Sequence, residues 1–466
     1  MFRVPNVSQQ QVRWQHANRE IRSISLPLSP AQRGTKPKKN PRVIFTKVQL
    51  KARIRALEKE LKDTLTPKDG VEPATQGPYT VLTDDPTATN PGDVLVQRRS
   101  VSVNGQRISN IWLRDNCQCE DCTHGTTKQR LIDTFSIPRD IALIRAKCEN
   151  QIVKIRWDDD HESEYKTSFL ARLTLDARYR TVNRLALSPA TLWNAATISS
   201  SVPSVPYSAT SILDVLQSIR KYGFCYIDGT PHDSPAATEE LLRRIAFIRE
   251  THYGGFYDFT ADLASKDTAY TNMALEAHTD TTYFSDPAGL QAFHLLEHTG
   301  GSGGTSLLVD GFHVAQTLLR ENPKAYNILA TVHVHAHASG NEDTSIQAYR
   351  GFPVLEHDLT TGNLVRVRWN NADRAAVGLP IDQVEQWYDA ARAFNALVKK
   401  KENEYWEQLQ PGRVLIFDNW RVLHGRTAFT GKRRICGGYV NRDDWISKYK
   451  MLAFGRDKVL EELATG

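Results

Sequence analysis

The chain has 466 residues, 40% hydrophobic and 24% charged, with a formal net charge of +6. That length fits two or three domains, or one large domain with additions. No stretch approaches roughly 18 consecutive apolar residues, so no membrane-inserting helix is expected. The basic excess lies almost wholly before Lys62, so a nucleic-acid partner is not expected either.

In chain order, residues 1–45 come first. They carry Arg3, Arg13, Arg19, Arg22 and Arg33, with Glu20 the single acid among the first 40. An Arg- and Ser-bearing, acid-poor start resembles a mitochondrial transit peptide and predicts delivery to the matrix. The alternative is a basic tail on a cytoplasmic protein. Residues 46–92 follow as a helix, KVQLKARIRALEKELKDTL, and a polar linker. Residues 93–190 read as a small β-rich domain. DVLVQRRSVSVNG ends in the Asn-Gly of a hairpin, and QIVKIRWDDDHESEYKTSF alternates like an antiparallel pair. Three of the six cysteines, Cys117, Cys119 and Cys122, crowd into this region, whereas Cys148, Cys225 and Cys436 are scattered. That argues against a disulfide framework and for one candidate metal cluster in a reducing compartment.

Residues 200–466 form the larger unit. SATSILDVLQSIRKYG predicts a capped helix, GFCYIDG a buried strand and TEELLRRIAFIRETHYG a second helix. Strand signals follow at LQAFHLLE, TSLLVDG, TVHVHAH, LVRVRWN, GRVLIFDN and RICGGYV, with a long helix at QVEQWYDAARAFNALVKKKENE. Many strands with a few helices packed outside predict a mainly β fold with flanking helices, a sandwich or jelly roll.

Within this unit, His278 and Asp280 are separated only by Thr279 in EAHTDTTYF, and His424 follows an apolar run far downstream. Residues i and i+2 of an extended segment point to one side, so His278 and Asp280 can grip one object. His-x-Asp with a distant His is the pattern of a triad that holds one face of Fe(II) and leaves the remaining positions for substrates and O2. A 2-oxo acid co-substrate needs a cation for its far carboxylate. Arg433 and Arg434 stand nine and ten residues after His424. Adjacent strand residues face opposite sides, and Arg433 shares parity with Tyr439, so Arg433 is the one expected to point inward.

Here the sequence becomes recognisable. HTDTTYF, SKDTAYT, SLLVDGF, PGRVLIFDNWRVLHGR and FTGKRRICGGYVNRDD resemble the family of trimethyllysine and gamma-butyrobetaine dioxygenases, over about Gly105 to Leu452. The resemblance implies a double-stranded β-helix (jelly-roll) catalytic domain behind a small zinc-binding domain. It implies Fe(II), 2-oxoglutarate, O2 and ascorbate as cofactors and co-substrates, and it fits a mitochondrial address. The implied reaction is 3-hydroxylation of the small molecule N6,N6,N6-trimethyl-L-lysine, which opens carnitine synthesis. Butyrobetaine hydroxylation is the alternative, and a degenerate binding protein of the same fold a more distant one. The expected oligomer is open, with a homodimer as the candidate. Residue by residue, His278, Asp280 and His424 match the iron ligands. Arg433 matches the 2-oxoglutarate arginine, and Ser306 sits where relatives carry Thr or Ser. Tyr253, Tyr257, Tyr270 and Tyr439 match an aromatic cage for the quaternary ammonium, which has no N–H to donate and is bound by ring faces. Tyr257 replaces the Trp of many relatives. Cys117, Cys119, Cys122 and His161 match a closed structural zinc site, with His124 as a rival fourth ligand.

Overall fold

Two strands show how the sequence builds layers. In LQAFHLLE, Leu290 and Ala292 point one way while Gln291, Phe293 and Leu295 point the other; in RVLIFD, Val414 and Ile416 oppose Leu415 and Phe417. Both parities are apolar because both faces are covered. A computed structural model describes residues 79–80, 94–97, 100–103, 106–173, 189–260, 271–340, 344–359 and 361–464. The expected transit segment, the helix over Lys47–Leu65 and Tyr270 lie outside these residues.

Among the described residues, ten strands form the two large sheets of the larger unit: β1 (Ser204–Pro206), β2 (Phe224–Asp228), β3 (Phe256–Thr260), β4 (Leu275–His278), β5 (Leu290–Thr299), β6 (Ser306–Asp310), β7 (Tyr405–Glu407), β8 (Arg413–Asp418), β9 (Val422–Arg426) and β10 (Lys432–Val440). The major sheet has the order β3-β10-β5-β8-β2-β1, and the minor sheet β4-β9-β6-β7. The sheets enclose a core of Phe224, Tyr226, Leu295, Leu308, Leu415, Phe417 and Ile435. This is the double-stranded β-helix. Helices α1 (Ile212–Tyr222), α2 (Ala236–Ile245) and α6 (Arg442–Phe454) pack a second core on the outer face of the major sheet. Helices α3 (Gly311–Glu321), α4 (Pro323–Thr331) and α5 (Ile381–Val398) pack a third against the minor sheet.

The helix ends have local causes. Ser211 caps α1 by accepting from the Asp214 N–H, and Gly223, at φ +88°, closes it in the left-handed region that glycine adopts freely. The helix expected over TEELLRRIAFIRETHYG stops at Ile245 because Ile248 bridges Val440 and the Arg249 N–H donates to the Tyr439 carbonyl at 2.8 Å. The strand expected at TVHVHAH is reduced to isolated bridges of Val334 with Phe352 and Ala336 with Arg374 and to the pair His337–Ala338, since α4 runs through Thr331.

Ahead of this unit lies the smaller β-rich region. Strands Leu143–Glu149, Ile152–Trp157 and Glu162–Lys166 make an antiparallel sheet. Its alternation buries Val153, Ile155, Trp157 and Tyr165 against Leu113, Ile141 and Leu170. Among the described residues, no helix is long and apolar enough to cross a membrane.

Candidate active site

The end of β4 delivers His278. Across the antiparallel pairing its partner on β9 is His424, and the two rings lie 4.3 Å apart. Asp280 sits just beyond β4, where the chain turns at Thr281, a non-glycine residue with φ +58°. Such a left-handed residue is held by its surroundings: the Thr281 hydroxyl accepts from the Ala288 N–H at 2.8 Å. Buried Asn419 grips the Asp280 main chain on both sides, accepting from its N–H at 2.8 Å and donating to its carbonyl at 3.0 Å.

The donor atoms converge. Asp280 Oδ1 lies 3.2 Å from His278 Nε2 and 3.9 Å from His424 Nε2. Neighbouring donors on one face of an octahedral ion, with bonds of roughly 2.1 Å, stand about 3 Å apart. The tautomer fits as well. His278 Nδ1 lies 2.7 Å from the Glu276 carbonyl, so Nδ1–H donates there and Nε2 keeps its lone pair for a cation. Burial and the neighbouring His278 push His424 down to about 3, which keeps that ring neutral. Burial opposes ionisation of Asp280, but His424, His278 and Tyr439 together hold its carboxyl well below the usual carboxylate range. Without a metal, and against burial, Asp280 raises His278, because its carboxylate favours the imidazolium; a cation there would take the place of that proton, and two imidazole nitrogens with one ionised carboxylate are a donor set that suits Fe(II).

These groups line a cavity of about 670 Å³. Arg433 and Arg426 both line it, 6% and 8% exposed, and both guanidiniums lie over the Phe429 ring, at 5.4 and 5.0 Å. Among the described residues neither has a carboxylate partner. Burial depresses both to about 10. Arg426 donates to the carbonyls of Thr271 and Met273. A buried cation without a counter-ion is costly unless an anion arrives, so these two guanidiniums could hold a carboxylate inside the cavity. Arg434 faces outward and binds Asp258 at 2.8 Å. Ser306 lines the same cavity.

Tyr253, Tyr257 and Tyr439 also line it. The Tyr257 ring lies 6.0 Å from Tyr439, and its hydroxyl donates to the Ala292 carbonyl at 2.8 Å. The Tyr439 hydroxyl is committed to Asp280 at 2.7 Å. Gln291, Asn419 and Arg426 were not singled out from the sequence. Gln291 had one readable signal: it is a polar residue inside an apolar strand run, and a buried polar group implies a partner.

The cysteine cluster forms a second centre. Cys117, Cys119 and Cys122 Sγ lie 3.4, 3.6 and 3.5 Å from His161 Nε2. Tetrahedral zinc, with Zn–S of roughly 2.3 Å and Zn–N of roughly 2.0–2.1 Å, separates such donors by about 3.5 Å. His124 is exposed and turned away, accepting from the Thr127 N–H. Arg114 donates to Cys122 Sγ at 3.2 Å and pairs with Asp159 at 2.8 Å, offsetting the charge of a three-thiolate site. Burial first, and then the neighbouring Cys117 and Cys119, push the Cys122 thiol up to about 12 against the opposing pull of Arg114, so thiolates here call for a cation.

Comparison with known proteins agrees with this geometry. A profile described as "Taurine catabolism dioxygenase TauD, TfdA family" matches residues 186–439, more than half of the chain, and one described as "Gamma-butyrobetaine hydroxylase-like, N-terminal" matches residues 101–171. The fold and the profile define a dioxygenase of the TauD/TfdA class, which uses non-haem iron and 2-oxoglutarate. A trimethyllysine dioxygenase of Neurospora crassa is 47% identical over 76% of this chain and 82% of its own. The human mitochondrial trimethyllysine dioxygenase is 37% identical over 74% and 83%. A gamma-butyrobetaine dioxygenase of Pongo abelii is 29% identical over 73% and 90%. Among solved structures, PvcB from Pseudomonas aeruginosa aligns with a TM-score of 0.40 at 14% identity, over 51% of this chain and 82% of that one. The chain belongs to the trimethyllysine dioxygenase family.

Proposed function

We propose that this chain hydroxylates C3 of N6,N6,N6-trimethyl-L-lysine, giving 3-hydroxy-N6,N6,N6-trimethyl-L-lysine, while 2-oxoglutarate becomes succinate and CO2. One oxygen atom of O2 enters the product and the other enters succinate. The observation that carries this reading is one cavity holding His278, Asp280 and His424, two buried guanidiniums with no carboxylate partner among the described residues, and a set of tyrosines. In this reading His278, Asp280 and His424 hold the iron, which when bound supplies the redox centre for O2. Arg433 meets the far carboxylate of 2-oxoglutarate, with the Ser306 hydroxyl as a further donor. Tyr253, Tyr257, Tyr270 and Tyr439 are the substrate-binding aromatics for the trimethylammonium, Tyr439 also donating its hydroxyl to Asp280.

The same reading gives Cys117, Cys119, Cys122 and His161 a structural zinc. It divides the chain into residues 1–45 for targeting, 46–92 as helix and linker, 93–190 as the zinc domain and 200–466 as the oxygenase. It sends the chain to the mitochondrial matrix, which a fluorescent fusion of residues 1–45 checks. It also includes a homodimer, which light scattering checks.

Butyrobetaine hydroxylation shares the cage and the triad, so substrate competition decides between them. Iron-loaded protein is given 2-oxoglutarate, ascorbate and either trimethyllysine or butyrobetaine, and succinate is measured. Faster release with trimethyllysine supports the proposal. Faster release with butyrobetaine replaces it with the related reaction, and no release with either returns the chain to a binding role.

A further inference from the structure

We infer that Gln291 and Tyr439 are positioning residues that fix which oxygen of Asp280 faces the iron. The inference rests on the proposed iron ligands and adds a task for residues so far given to the core or the substrate cage.

A carboxylate offers two equivalent oxygens and can bind a metal through one or both. Two imidazoles and one carboxylate oxygen leave three positions of an octahedron open, which the co-substrate and O2 require. A chelating Asp280 would close one of them. The structure occupies the second oxygen. Asp280 Oδ2 accepts from the Tyr439 hydroxyl at 2.7 Å and from Gln291 Nε2 at 2.7 Å. Oδ1 alone is turned to the two histidines.

The two donors are one structural device. Gln291 on β5 and Tyr439 on β10 stand directly opposite each other in the ladder of the major sheet, and Gln291 Nε2 is 3.5 Å from the Tyr439 hydroxyl. They project from the major sheet, whereas Asp280 leaves the minor sheet. The clamp therefore ties the ligand to the sheet that does not carry it. Both donors are themselves buried, at 2% and 5% exposure, so neither side chain is free to turn away to bulk solvent. An ionised carboxylate only accepts, so Gln291 must present its amide N–H₂ to Asp280. That orientation leaves Gln291 Oε1 without a partner among the described residues. The fold accepts an unpaired buried acceptor to keep the donor on Asp280. In Tyr439 the hydroxyl, more than the ring face, then carries the function.

The test uses Mn²⁺ as a redox-silent probe on the full, iron-free chain without substrate, with free Mn²⁺ counted by electron paramagnetic resonance. Tyr439→Phe and Gln291→Met each should weaken Mn²⁺ binding by roughly 10- to 100-fold, the range for groups that orient a metal ligand. At saturating iron, the Tyr439→Phe KM for trimethyllysine should stay within about twofold, since a phenyl face binds a quaternary ammonium much as a phenol face does. Melting curves of the metal-free proteins identify any variant that fails to fold; Tyr439→Phe, which removes one oxygen, then carries the test alone. Wild-type Mn²⁺ affinity in Tyr439→Phe, or a raised trimethyllysine KM with unchanged Mn²⁺ affinity, overturns the inference. His278→Ala separates it from the reading beneath. If that variant loses Mn²⁺ while Tyr439→Phe and Gln291→Met bind as wild type, the clamp alone is wrong. If His278→Ala binds Mn²⁺ as wild type, the iron site itself is wrong and the clamp falls with it.

Discussion

Tyr257 shows how much of a site depends on space left by another residue. A Cβ at Gly437 would lie 1.9 Å from the Ala292 carbonyl oxygen and 2.9 Å from Tyr257 Cε2, so glycine is what lets the Tyr257 ring lie against β10. The Tyr257 hydroxyl is used on the Ala292 carbonyl, which leaves the ring for the cavity. Tyr257→Phe should therefore be mild toward substrate. Tyr257→Leu should cost roughly 1–2 kcal/mol, a five- to thirtyfold rise in the KM for trimethyllysine, with the KM for 2-oxoglutarate unchanged. Unmethylated lysine should be a poor substrate, because an aromatic box leaves its three N–H donors unsatisfied. Steady-state kinetics of the two variants on both amines checks this, and equal behaviour of Phe and Leu contradicts the cage. At this scale the sequence was legible where ligands sit in a short motif. His278 and Asp280 are two positions apart, but Gln291 and Asn419 reach Asp280 from 11 and 139 residues away, so nothing local names Asp280 as their partner.

Elements add requirements of their own. The turn bearing Cys117, Cys119 and Cys122 meets His161 only because the strands Ile152–Trp157 and Glu162–Lys166 return the chain to it. Protein freed of iron by a mild chelator should still hold about one zinc per chain, since closed thiolate sites release metal slowly. Cys119→Ser should lower the melting temperature more than it lowers turnover per folded molecule. Zinc-free protein with an unchanged melting curve contradicts the assignment. His294 on β5 makes a second requirement. Its Nδ1 lies 2.6 Å from the Thr238 hydroxyl of α2, and its Nε2 accepts from the Gly412 N–H at 3.2 Å. Protonation would set Nε2–H against that N–H. Burial, and then His232, hold His294 down to about 4. The folded value lies below the unfolded one of roughly 6.5, so the neutral ring's contribution is complete above about pH 6.5 and is lost as pH falls toward 4, by at most about 1.4 kcal/mol per pH unit. Urea unfolding between pH 7 and pH 5 should show this slope, and His294→Gln should flatten it; an equal slope in both contradicts the account. Strands were readable because alternation survives burial, as at Ile152–Trp157, whereas the ends of α2 and the fate of TVHVHAH were decided by contacts with Val440 and Phe352. Helices α3 and α4 escaped notice although Asp310 caps one and Asn322-Pro323 opens the other. Their signals fall inside a stretch otherwise dominated by strand patterns.

At the largest scale, the major and minor sheets of the larger unit each bring part of one site. The minor sheet supplies His278, His424 and, just past its end, Asp280; the major sheet supplies Gln291, Arg433 and Tyr439. Together they set His278, Asp280 and His424 in one cavity with two buried guanidiniums that have no carboxylate partner among the described residues and with the rings of Tyr253 and Tyr257, the groups that the proposed reading assigns to iron, an anion and a quaternary ammonium. The family motifs made this division of labour legible as chemistry, while the pairing of sheets had to be seen. The most direct test of the central claim follows oxygen. Iron-loaded protein turns over trimethyllysine under isotopically labelled O2, and product and succinate are analysed by mass spectrometry. The account predicts one labelled oxygen at C3 of trimethyllysine and one in succinate, in equal amounts, with neither formed by Asp280→Ala. Labelled succinate without hydroxylated trimethyllysine, or product formation undiminished in Asp280→Ala, would contradict it.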